Sequence, residues 1–151
     1  MAGRSSNGGL VGLLVQAVVA QIIESVTNNL HPIAGITSTR LLAAGRPNGI
    51  LFLSAVTLGE IQAGIERTRE QDPAKAAEIE AWLERVAGAW NVLAMDAAAV
   101  REWAKLMHRQ SDTLYEDAMI AATARTQGLT VVTRNVADFK TLGVDVLDPF
   151  V

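Results

Sequence analysis

No cysteine occurs in the 151 residues, which excludes disulfides, thiolate metal sites and a cysteine nucleophile, and suits a reducing, cytoplasmic compartment. Aromatic residues make up only 5% of the chain and charged residues 19%, while half of it is hydrophobic. That balance suits a compact α/β domain built mainly on Ala, Val, Leu and Ile. A net charge of −3 leaves no basic excess with which to hold a polyanion by surface charge alone, but it is compatible with an acidic pocket neutralised by divalent cations. There is no GxSxG elbow, P-loop, dinucleotide fingerprint or HExxH motif. A long apolar run is also missing. The stretch from Gly8 to Ala20, interrupted by Gln16, resembles a signal peptide only weakly and falls short of the roughly 20 residues of a transmembrane helix. A buried helix or a frayed tail is the preferred reading there, with no stable membrane partner.

What the chain does contain is clear punctuation from residue 50 onward. ILFLS (50–54) reads as a buried strand, with Ser54 placed to cap a helix AVTLGEIQAGIERTRE. Asp72-Pro73 supplies an N-cap with proline at the first helical position, and the helix KAAEIEAWLERVA is expected to stop at Gly88. Ile79, Trp82, Leu83 and Val86 give that helix one apolar face. NVLAM (91–95) is a second strand, after which Asp96 caps AAAVREWAKLMHRQ. Ser111–Thr113 begins a helix carrying YEDAMIAATART, and Gly128 ends it. LTVVT (129–133) is a third strand, VADFKTLG a short turn of helix, and VDVL (144–147) a fourth strand. This alternation predicts βαβ crossovers and a mostly parallel sheet in one domain.

Residues 1–49 lack this clarity. Gly45, Pro47, Asn48 and Gly49 are turn residues with no strong strand ahead of them, and Glu24 is the only acid before Glu60. The expected organisation is therefore a divergent N-terminal segment, 1–49, in front of a regular α/β part, 50–151.

In open α/β sheets, sites form at the carboxyl ends of the strands. Glu60, in the second turn of its helix, Asp117, near the start of another, and Asp138, after the third strand, come from three connections that such a fold brings to one rim. Thr133, Arg134 and Asn135 follow the same strand directly. Oxygen-rich clusters of this kind suit Mg²⁺ or Mn²⁺, and the chemistry such ions support is phosphodiester hydrolysis. Each residue has a plainer alternative. Asp117 and Glu116 would gain about 0.3–1 kcal/mol each from their helix dipole. Glu60 would sit on an exposed helix face, as Glu66 and Glu70 do, and Asp138 would serve the turn before Phe139. His31 and His108 belong to no nucleophilic motif, and Trp82, Trp90 and Trp103 read as packing residues.

FLSAVTLGEIQAGIER, EDAMIAATARTQGLTVVTRNVADF and GVDVLDPF together resemble the PIN-domain ribonucleases, specifically the VapC-type toxins of VapBC toxin–antitoxin pairs. The resemblance covers about residues 50–151. It implies a three-layer α/β/α fold with a mostly parallel sheet and an atypical first strand. It also implies Mg²⁺- or Mn²⁺-dependent endoribonuclease activity on RNA, a homodimer, and silencing by a small VapB-like antitoxin. By the same resemblance Glu60 and Asp117 are catalytic and metal-binding, Thr133 and Asn135 catalytic, and Asp138 shares in the metal site. Asn135 stands where the family often has aspartate.

The first strand of such proteins ends in Asp-Thr-Asn, and no aspartate precedes Asp72 here. The nearest echo is SVTNNL (25–30), with Val26 in the aspartate's place. LVGLLVQAVV is the alternative source of a first strand, although it patterns equally well as helix. The segment is either truly divergent or translated out of the ancestral frame. The outcome is a ribonuclease with full or impaired activity, or a catalytically inactive module that keeps the fold and binds an antitoxin.

Overall fold

Residues 13–15 and 51–148 are described in the computed structural model. Strand β1 (Leu13–Val15) is followed by β2 (Leu51–Ser54), helix α1 (Ala55–Gln71) and helix α2 (Pro73–Ala89). Then come β3 (Asn91–Leu93), α3 (Ala97–Met107), a single 3-10 turn (Asp112–Leu114) and α4 (Tyr115–Gln127). The described part closes with β4 (Thr130–Val132), α5 (Val136–Thr141) and β5 (Val146–Leu147).

All strand pairs among the described residues are parallel, in the order β3-β2-β1-β4-β5. β1 is therefore the central strand, pairing Val15 with Leu53 on one side and with Val132 on the other. It lies inside LVGLLVQAVV, where the apolar pattern was equally compatible with helix; hydrogen-bonding partners on both flanks select the strand. The SVTNNL echo and His31 lie outside the described residues.

The helix starts follow the chain's local chemistry. Ser54 Oγ accepts from the Val56 N–H at 3.1 Å and caps α1. Asp72 Oδ1 accepts from Lys75 N–H at 3.0 Å ahead of Pro73, and Asp96 Oδ1 accepts from Ala99 N–H at 2.9 Å. The strands come out shorter than expected, β3 ending at Leu93 and β5 beginning at Val146, and three helix boundaries also differ. Gly88 does not end its helix: α2 runs through it to Ala89, and the Trp90 N–H still bonds to the Val86 carbonyl. Ser111 caps only the 3-10 turn, and the α-helix begins at Tyr115. The helix after Asp96 ends at Met107 rather than Gln110: His108 leaves the helix with a ψ of 114°, and Arg109 follows with a left-handed φ of 66°.

Two apolar clusters hold these elements. Ile61, Ile65, Ala76, Ile79, Trp82 and Leu83 join α1 to α2. Arg69 pairs with Glu66 at 3.1 Å within α1 and with Glu80 at 2.8 Å across that hairpin, at exposed positions where water screens both contacts. The second cluster centres on α4, where Ala118, Ile120, Ala121 and Ala124 pack with Val131, Phe139 and Leu142. Short alanine side chains let this helix lie close to its neighbours, so its middle, from Ile120 to Ala124, is buried without a break.

Candidate active site

In a parallel sheet every strand ends on the same rim, and the helix that follows a strand begins there. Ser54 and the first turns of α1 therefore share one edge with the residues after β4, and α4, which runs back to the start of β4, begins at that edge too, where Asp117 meets Asn135. The candidate residues fall on it. Glu60 lies in the second turn of α1, and Asp117 is the third residue of α4. Thr133 is buried at the end of β4, and Asn135 and Asp138 open α5.

Glu60 does not sit on an exposed helix face. It is half-buried, and its Oε2 atom is buried without a hydrogen-bond partner. Loss of solvation, then the negative charge of Asp117, then that of Glu116, pushes its pKa up to about 7. Glu116 itself is exposed, so its part in the site is limited to that field.

Asp117 is tied to the residues after β4. The Asn135 side-chain amide donates to Asp117 Oδ2 at 2.9 Å and to Asp138 Oδ2 at 2.7 Å. The Asn135 backbone N–H donates to Thr133 Oγ1 at 3.0 Å, which fixes the turn from which the amide projects. One side chain thus joins two carboxylates borne by different helices. Arg134, between Thr133 and Asn135, is exposed.

Among the described residues, no three acidic or histidine side chains come close enough to form a ready-made metal cage. The donors nonetheless fit a hard divalent cation. Such ions need one or two carboxylates and keep several waters, and a buried, unsatisfied carboxylate oxygen beside a second acid is the environment a cation relieves.

One polar residue went unnoticed in the sequence. Thr57 is fully buried on α1, one turn before Glu60, and its hydroxyl has no hydrogen-bond partner. The signal was available in SAVTLGE, where Thr57 and Glu60 stand three apart on one helix face. Trp103 is a packing residue as expected, edge-on to Tyr115 at 4.9 Å. Among the described residues no helix is long and apolar enough to cross a membrane.

The model of the PIN domain family matches residues 29–143. The chain belongs to the PIN-domain family. Ribonuclease VapC1 of Rickettsia felis is 31% identical over 104 residues, covering 66% of this chain and 76% of that protein. Plasmid stability protein StbB of Pseudomonas syringae pv. tomato is 32% identical over 107 residues, with the same coverage of both chains. This PIN domain is thus of the VapC type. In the crystal structure of DNA-bound VapBC from Salmonella typhimurium, a chain superposes with a TM-score of 0.65 at 22% identity, covering 93% of this chain and 99% of that one. Its likeness establishes the three-layer α/β/α PIN fold. A second family model, described as putative lipoprotein GNA1162-like, matches residues 1–53, about a third of the chain. The central strand β1 lies within that stretch and ahead of the PIN match.

Proposed function

We propose that this PIN domain is a Mg²⁺- or Mn²⁺-dependent endoribonuclease, the toxin of a type II toxin–antitoxin pair, held silent in the cytoplasm by a VapB-like antitoxin. The observation behind this reading is the pairing of Glu60, with its buried, unpartnered oxygen, and Asp117 at the rim of the sheet. Asp117, Glu60 and Asp138 would hold the ion. When bound, it supplies Lewis acidity, making water a better nucleophile and offsetting the charge of the scissile phosphate.

The remaining work falls to the protein. Without the ion, burial and the charge of Asp117 keep a proton on Glu60 up to about pH 7; as a ligand Glu60 would give that proton up. Thr133 and Asn135 set the geometry of the carboxylates through the bonds described above. RNA is the substrate class, and the active form is a homodimer. The similar Salmonella typhimurium chain belongs to a VapBC assembly, which supports an antitoxin partner of the same kind. Residues 1–49 act as a divergent replacement for the usual first strand and helix, in one domain with residues 50–151.

A second reading has its own support. Glu24 is the only acid in residues 1–59, so the aspartate expected at the end of the first strand has no counterpart there. On this reading the chain is an inactive PIN module that binds an antitoxin. Incubating the purified chain with RNA in MnCl₂ or MgCl₂ and in EDTA separates the two. The nuclease reading expects cleavage in metal only, abolished by Glu60→Gln and by Asp117→Asn. Absence of cleavage together with absence of Mn²⁺ binding leaves the module.

A further inference from the structure

We propose that Asn135 is a positioning residue that takes the place of a cation between Asp117 and Asp138 and competes with divalent metal for them. This rests on the reading of the rim as a divalent-cation site. An asparagine amide has two N–H donors on one nitrogen, and here the nitrogen lies within hydrogen-bond distance of both carboxylates, 2.9 Å from one and 2.7 Å from the other. With an acceptor on each side, the orientation of the amide is settled by chemistry: only its nitrogen end can face two carboxylates.

The local structure shows what this arrangement displaces. Asn135 occupies the N-cap of α5, where asparagine is among the strongest capping residues, yet its side chain makes no capping hydrogen bond. The amide is used on the acids instead. Its backbone is fixed at both ends, the N–H donating to Thr133 Oγ1 at 3.0 Å and the carbonyl accepting from the Phe139 N–H at 3.4 Å. A neutral donor satisfies the two carboxylates without cancelling their charge. Their attraction for a cation therefore persists, while one oxygen of each is already taken by the amide. An ion that bridges these two oxygens can do so only after the amide turns away.

The competition predicts a gain of metal affinity when the amide is removed, the opposite of what simple damage to the site would do. The test is titration of the full-length chain with MnCl₂, followed by calorimetry and by the loss of the free Mn²⁺ paramagnetic resonance signal, for the wild type, Asn135→Ala and Asn135→Asp. Asn135→Ala removes the competitor and is expected to bind Mn²⁺ about tenfold more tightly, the weight of one hydrogen bond to a charged group. Asn135→Asp adds a carboxylate to those of Glu60, Asp117 and Asp138 and is expected to bind more tightly still. It should also melt at lower temperature than wild type in EDTA and recover in excess Mn²⁺. Affinity in Asn135→Ala equal to or weaker than wild type overturns the proposal while leaving the metal reading in place. No Mn²⁺ binding by any of the three overturns the metal reading, and the proposal with it.

Discussion

Glu60 and Asp117, far apart in sequence, meet at the rim of the sheet closely enough that the charge on one raises the pKa of the other. Burial is the largest cause of the shift, and together with that charge it pushes the pKa of the Glu60 carboxyl group up to about 7. Two carboxylates remote in sequence and brought together with one oxygen buried are costly in the free protein. That cost gives the site a signature readable without any assay of activity.

The first prediction is pH-dependent stability in EDTA. Because the pKa of Glu60 is about 7 when folded and 4.5 in its ordinary state, the folded protein holds the proton more tightly across that interval. Stability from this group is fully present below the ordinary value and is lost as pH rises through about 7. Urea unfolding at pH 5 and pH 8 should show wild type weaker at the higher pH. In Glu60→Gln, which cannot ionise, the difference should shrink. An equal pH dependence in both proteins would show that Glu60 titrates normally.

Thr57 gives a second. Its hydroxyl is buried with no partner, so the isosteric change Thr57→Val replaces an unsatisfied polar atom by a methyl group. Stability measured by urea midpoint should be unchanged or rise by up to about 1 kcal/mol. A loss above about 1 kcal/mol would mean that the hydroxyl is hydrogen-bonded in solution.

Much of this architecture was legible because it rests on local chemistry. Ser54, Asp72 and Asp96 bond to the backbone N–H groups of their own helices, so their signals survive without tertiary context. The gathering of Glu60, Asp117, Asn135 and Asp138 at one edge was legible for a different reason: a parallel sheet puts all its strand ends on one side. The central strand was harder to read. Leu13–Val15 is only three residues long, flanked by a run as compatible with helix as with strand, and its identity depends on β2 and β4, which pair with it from far along the chain. Thr57 was passed over because a threonine in an apolar stretch ordinarily needs no explanation. Only burial and the lack of a partner distinguish it.

Two glycines supply a third prediction. Gly88 lies within α2, and a Cβ added there would meet nothing within 4 Å. Gly88→Ala should therefore stabilise the protein by about 0.5–1 kcal/mol, through lower chain entropy in the unfolded state and better helix propensity. Gly128 also has open space, but its φ of +64° closes α4 in the left-handed conformation. Gly128→Ala should cost about 1–2 kcal/mol, with Gly128→Asn costing less. Thermal or urea unfolding of the three variants should place Gly88→Ala above wild type and Gly128→Ala below it. A Gly88→Ala variant less stable than wild type would mean that Gly88 is the helix stop after all.

The last prediction concerns the proton on Glu60 when metal is added. A divalent cation at the rim favours the ionised carboxylate, so binding must displace the proton that burial and Asp117 keep there below about pH 7. Mn²⁺ affinity should therefore rise between about pH 5.5 and pH 8, and calorimetry in buffers of different ionisation enthalpy should register proton release that is larger at the lower pH. Glu60→Gln should lose both effects, because its side chain has no proton to give up. Asp117→Asn removes one of the proposed carboxylate ligands and should weaken binding at every pH. Wild-type proton release that persists unchanged in Glu60→Gln would assign the titrating group elsewhere and remove Glu60 from the set of groups that answer to the metal.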